Sequence, residues 1–184
     1  MSKLSLADSW NWYEFQRTLL GEERARVLAA TPTSAKTLRN SRYFGMSHVE
    51  LKGLFDFQSI ELGQLAMLGM LACAEGSLRL EFDDRVRAKK KDPISRRFRA
   101  VARKRKDRIR LEEDILDQWR QDGTTRIKSA IGEFKGALML RHWLAHGRYW
   151  PAKLGRAAGY IPTDVYDICK ELLQSFDLMP LDPP

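Results

Sequence analysis

"SHVELKGLFDFQSIELGQLAMLGMLACAEGSLRLEF", residues 47–82, decides the fold class. Ser47 followed three residues on by Glu50 is a capping box, in which the hydroxyl takes a backbone N–H of the first turn and the carboxylate reaches back to the cap. Behind it runs a long apolar pattern of helical period. One helix is predicted from about His48 to the high eighties, with Gly63, Gly69 or Gly76 as the places for a kink. Its centre, Leu62–Ala74, is uncharged for 13 residues, short of the roughly 20 that span a bilayer. It reads as a buried core helix.

Outward from this helix the patterns stay helical, and no segment alternates as a strand does. A first helix is expected from about Asp8 to Ala29, followed by the connector "TPTSAKTLRNSRYFG". On the other side Pro93, in "KKKDPIS", breaks the pattern because it disfavours helix in the residue before it. A basic helix or loop follows, then "LEEDILDQWRQDG", whose acids suit a helix start and whose Gly123 suits a stop. Another helix is predicted from Thr125 to about His146, ended by Gly147. After the loop "RYWPAKLGRAAGYIP", Thr163 and Asp164 open a last helix, with Val165, Ile168, Leu172, Leu173 and Phe176 on one stripe. The expected architecture is all-α: a four-to-five-helix bundle over residues 46–178, an added N-terminal helix within 1–45, and a tail at 179–184.

Composition narrows the function classes. A chain of 184 residues, 43% hydrophobic and 30% charged, is expected to form one globular domain. The N-terminal "MSKLSLADSW" has no apolar h-region, so no secretory signal is expected. Cys73 and Cys169 lie in apolar helical patterns without CxxC spacing, which predicts reduced thiols and a cytoplasmic location, with no membrane association. A GxxxxGK phosphate loop and a zinc-finger pattern are both missing from the sequence.

Charge is concentrated. The net charge is +8, yet Arg85–Arg110 alone carries 14 basic and two acidic residues, leaving 18 basic against 22 acidic elsewhere. Such a field attracts phosphate backbones by counterion release. Arg96, Arg97, Arg99, Arg103, Lys104 and Arg105 are the expected RNA contacts here, joined after the loop by Arg148 and Lys153. The other reading is a solvated charged face. The aromatic and basic "RYWPAKLGR" suits base stacking and equally a cap on the bundle, whereas Trp10, Trp12, Tyr13 and Phe15 fit core or dimer surface better than a stacking platform.

"LMLRHWLAHGRYW", residues 138–150, carries the chemistry. Two of the chain's three histidines fall within it. On a helical wheel with Ile127 at zero, Ile131, Phe134, Leu138 and Ala145 form the core stripe; Arg141 lies at about −40°, His142 at about 60° and His146 at about 100°. That end of the helix is therefore expected to be buried or in an interface. Three readings compete. The histidines can be satisfied structural residues with Arg141 in an ion pair. They can be metal ligands, four apart on one face, but no third ligand or neighbouring glutamate completes a zinc motif. Or they can cleave RNA without metal, histidine taking the 2′-OH proton and arginine holding the phosphate. Against the last, Arg141 and His146 are about 140° apart on one straight helix. Two copies related by a two-fold axis remove that objection.

The Arg-x4-His pattern "RHWLAH", with a polar residue after the arginine and a glycine after the histidine, resembles the Rx4-6H motif of the HEPN superfamily. "ALMLRHWLAHGRYW" sits on the penultimate predicted helix, and "LACAEGSLRLEF", with Glu75 and Arg79, is similar to the matching helix of prokaryotic toxin and defence HEPN proteins. The resemblance covers residues 46–178. It implies a metal-independent endoribonuclease of a bacterial or archaeal toxin or antiphage system, acting as a homodimer without cofactor, with an antitoxin or other defence-system protein as partner. Arg141 would hold the scissile phosphate, His146 would act in general acid/base transfer, and His142 would orient the substrate. Glu75 would support the site by pairing with Arg79 or Arg141. Two alternatives stay open: a non-catalytic HEPN module that binds RNA, nucleotide or a protein, and a basic helical regulator of DNA, for which no helix-turn-helix stands out.

Overall fold

The computed structural model describes residues 5–29, 41–106, 108–146 and 154–179, and among them there are helices and no strands. Helix α1 spans Leu6–Leu28, α2 His48–Arg87 and α3 Pro93–Arg105. A π-helical turn, Leu111–Leu116, runs into the short α4, Asp117–Asp122. Then come α5, Thr125–Ala145, a 3-10 turn at Gly155–Gly159, and α6, Pro162–Ser175.

Local chemistry explains the boundaries. Ser47 and Glu50 form the predicted capping box of α2, and Ser5 with Asp8 forms another on α1. Asp92 caps α3, its carboxylate accepting the Ser95 N–H at 3.0 Å, with Pro93 in the first turn, where its missing N–H costs nothing. The helix is continuous over 40 residues, through Gly63, Gly69 and Gly76. Neighbours on both sides of it supply packing that outweighs the modest propensity cost of a helical glycine. By length and composition alone α2 could cross a membrane, and the part that predicted a core helix supplies core: Ala66, Met67, Met70, Leu71 and Ala74 are all buried.

The core lies between α2, α5 and α6. Phe134 and Ile131 of α5 and Val165, Cys169 and Leu172 of α6 are sealed from solvent with Met70, Leu71 and Leu78 of α2. Full burial of side chains of this kind stabilises by about 1.5–3 kcal/mol each, which is why the three helices cannot separate. Phe82 meets Phe98 of α3, and Trp119 of α4 stacks on Phe176 at 4.4 Å while Arg85 lies over its other neighbourhood at 5.1 Å from the ring centroid. Antiparallel to α2, α1 is pinned near one end by Ser9 to Cys73 and near the other by Arg24 to Asp56. Trp10 stacks on Tyr166 and Tyr13 packs on the core, but Trp12 and Phe15 are exposed. Neither Cys73 nor Cys169 is in a disulfide; burial pushes the Cys169 thiol far above its ordinary pKa.

Gly123 joins α4 to α5 and has no room for a side chain. A Cβ there would stand 2.6 Å from Cγ2 of Ile127 and 2.9 Å from the Trp119 carbonyl.

Candidate functional site

The last turns of α5 project past the core. Leu140 is the final buried residue, Arg141 is half-buried, and His142 and His146 are exposed. Of the two expectations for this end of the helix, buried or in an interface, burial within one chain does not hold, and Ala145, expected on the core stripe, is exposed too. The wheel gave the angle correctly for Ile131 and Phe134, but angle does not say how far along the axis the neighbouring helices reach.

Arg141 is held by a carboxylate on α2. Its Nη2 lies 3.2 Å from Oε2 of Glu75, while the other Glu75 oxygen takes Nε of Arg79 at 2.9 Å. Arg79 in turn donates to the Ile109 carbonyl at 3.2 Å. One carboxylate thus serves two guanidinium groups, and the trio keeps a net positive charge. Nε of Arg141 is enclosed and makes no hydrogen bond among the described residues. Such a geometry orients the guanidinium without exhausting its five donors.

Glu75 and Arg141 of this trio line a cleft of about 880 Å³, whose wall also holds Arg110, Glu112, Glu113, Leu138, His142 and Trp143. Two guanidinium groups and three carboxylates thus share the wall with apolar and aromatic surface, so a phosphate has its place at Arg141 and Arg110 and a base at Trp143. His142 lines the cleft, and the His146 ring lies against it at a tilt of 56°, ring centroids 4.3 Å apart. His146 itself is the C-cap of α5 and is not part of the cleft wall in one chain. The structure therefore brings Arg141, Glu75 and His142 together and leaves His146 one ring away. Among the described residues no three His, Cys, Asp or Glu side chains gather as metal ligands.

The basic residues divide into two groups. Arg97 pairs with Asp122 and donates to the Gln118 carbonyl, Arg99 donates to the Lys90 carbonyl at 2.7 Å, and Arg105 donates to Asp114 at 3.1 Å. These three tie α3 to its neighbours. Arg96, Arg103 and Lys104 are exposed. Arg148 and Lys153, with Tyr149 and Trp150, lie outside the described residues. Two positions that the sequence did not single out as contacts matter here: Arg110, at the mouth of the cleft, and Arg108 beside it. Their signal was present in the basic run, but only a turn after α3 brings them to the cleft.

No family model matches the chain, and neither a curated protein nor a solved structure does.

Proposed function

We propose that the protein is a metal-independent endoribonuclease of the HEPN type, of the kind used in toxin or antiphage systems. The observation that carries this reading is Arg141: a guanidinium braced by Glu75, with 36% of its side chain still in solvent, on the wall of a cleft that also holds His142 and Trp143. In the proposed reaction Arg141 binds the scissile phosphate and stabilises the charge that develops on it. His146 withdraws the proton of the 2′-OH, the 2′-oxygen attacks phosphorus, and the 5′-oxygen leaves with a proton supplied by general acid catalysis. The products are a 2′,3′-cyclic phosphate and a 5′-OH. His142, in tilted ring contact with His146, orients it and the substrate.

Pairing of two copies completes the site, since His146 stands outside the cleft wall of its own chain and a two-fold axis can carry it to the phosphate. Met139, 51% exposed on the cleft wall, and the exposed Trp12, Phe15 and Leu19 provide apolar surface of the type that such pairing covers.

Purified wild type, Arg141→Ala and His146→Ala are incubated with total RNA in EDTA, and the fragment ends analysed. Cutting by wild type alone, leaving 2′,3′-cyclic phosphate ends, is the expected result. The position of His146 outside the cleft also suits a second reading, a non-catalytic module that binds RNA or nucleotide; folded protein that binds RNA but leaves it whole under all three conditions decides for that.

A further inference from the structure

Beyond the Arg141 cleft lies a second concavity, of about 520 Å³, whose walls are Lys104, Arg105, Lys106, Arg108 and Arg110. Five cations converge on one space. Like charges that face each other repel, and in water a chain ordinarily turns them outward and apart. Here Lys104, Lys106, Arg108 and Arg110 are exposed, yet the fold sets them with Arg105 around one concavity, and it does so with a specific brace. Asp114, almost fully buried in the π-helical turn, accepts the Arg105 Nε at 3.1 Å through one oxygen and the Arg110 backbone N–H at 2.9 Å through the other. The two ends of the stretch 105–110 are thereby drawn to a single carboxylate. Lys106 adopts a left-handed φ of 52°, an uncommon conformation for a side-chain-bearing residue, at the exit from α3. Of the five, Arg105 is spoken for by Asp114 and Arg110 by Glu113 at 3.3 Å, an exposed pair; no side-chain partner is given to Lys104, Lys106 or Arg108 among the described residues.

Arg110 belongs to the walls of both clefts. A strand with one phosphate at Arg141 can thus pass Arg110 and set its next phosphates among Lys104, Lys106 and Arg108. The first cleft asks for an unstacked base, because Trp143, Leu138 and Leu111 line it, and unstacked bases belong to single strands. We propose that the Lys104–Arg110 concavity is a second subsite that binds the backbone phosphates of single-stranded RNA next to the linkage held at Arg141, with Arg110 as the bridge. This rests on the reading of RNA as the substrate, and adds which cations hold it and where the strand runs.

The test separates binding from cleavage. Fluorescence anisotropy is measured on the full chain with an unstructured, fully 2′-O-methylated RNA of about 12 nucleotides, within the length that single-strand sites engage. Methylation blocks attack by the 2′-oxygen, so the probe stays whole. Lys104→Ala/Arg108→Ala is compared with the charge-matched Lys52→Ala/Lys128→Ala, whose lysines are exposed on α2 and α5, and circular dichroism verifies that both variants are folded. Loss of two phosphate contacts lowers the slope of log affinity against log salt by about 1.4 and weakens binding roughly twentyfold at 0.1 M salt, at about 0.7 per contact. The charge-matched variant keeps the wild-type slope. Equal slopes in both variants, or no RNA binding by wild type, overturn the proposal. A slope change in the Lys104/Arg108 variant, with unmethylated RNA left whole by wild type, keeps the subsite and removes the nuclease reading; wild type that cuts RNA with no slope change in the Lys104/Arg108 variant does the reverse.

Discussion

Glu75 and Asp114 each anchor cations that line a cleft, but they hold different things. Glu75 joins side chain to side chain, Arg79 on its own helix and Arg141 across on α5. Asp114 joins a side chain to the backbone, Arg105 Nε on one oxygen and the Arg110 N–H on the other. Their surroundings differ in the same sense. The Asp114 side chain is 7% exposed and that of Glu75 17%, whereas their arginine partners are alike, 39% for Arg105 against 41% for Arg79 and 36% for Arg141. A carboxylate that holds backbone determines the path of the chain; one that holds side chains determines only where they point. The first shapes a cleft, and the second tunes the group inside one.

The contrast breaks most readily at Asp114. Asp114→Ala removes a buried acceptor of two hydrogen bonds and the ion-pair partner of Arg105, at an expected cost of about 2–4 kcal/mol. Urea unfolding measures it, and a cost below that of Glu75→Gln reverses the assignment of roles.

Next in size is the joint between the two regions. Gly123→Ala drives a methyl into Ile127 and the Trp119 carbonyl, with an expected loss of about 1–3 kcal/mol. Gly132→Ala on the exposed face of α5, where a Cβ meets nothing, is expected to gain about 0.4–1 kcal/mol. If the two variants melt alike, close packing at residue 123 is not what places α5.

Glu75→Gln comes third. It removes the carboxylate charge but preserves the shape, and since its partners are substantially solvated, the expected stability loss is about 1 kcal/mol or less. Its larger effect falls on the proposed site, where Arg141 loses its brace and RNA cleavage falls in kcat more than in KM. A variant that unfolds early yet cleaves normally would place Glu75 among the structural residues with Asp114.

The smallest effect tests a carboxylate that serves only a helix end. The Ser47 backbone N–H and then its hydroxyl hold the Glu50 carboxyl below its usual pKa. A folded-state value below the unfolded one contributes stability above the unfolded pKa, lost as pH falls through the folded one. Glu50→Gln is therefore expected to differ least from wild type near pH 3 and most at neutral pH, read from urea midpoints across that range. A difference that grows toward acid contradicts the capping assignment.

The helices were legible in the sequence because their signals are local. Ser47 and Glu50 marked the start of α2, Pro93 the break after it, and the Val165–Phe176 stripe the inner face of α6, since caps, proline geometry and a 3.6-residue period act within a few turns of chain. The charged run at 85–110 was legible as a run. Which of its members brace the fold and which face the second cleft was not, because Arg97 and Arg105 look like Lys104 and Arg108 until Asp122 and Asp114 arrive from elsewhere in the chain. The pairing of Glu75 with both arginines was readable only as a choice between them.

By itself, then, the sequence determined an all-helical chain, the ends of most of its helices, and the presence of an Arg-x4-His pattern beside a concentrated positive charge. Tertiary structure alone decided that α5 outruns the core at Leu140, that Arg141 meets Glu75 while His146 stays one ring away, and that Arg110 joins two clefts. The physical reason is range. Helix signals are settled between residues a few positions apart, whereas burial, ion pairing and the convergence of like charges depend on which distant segments the packed core brings within a few ångströms.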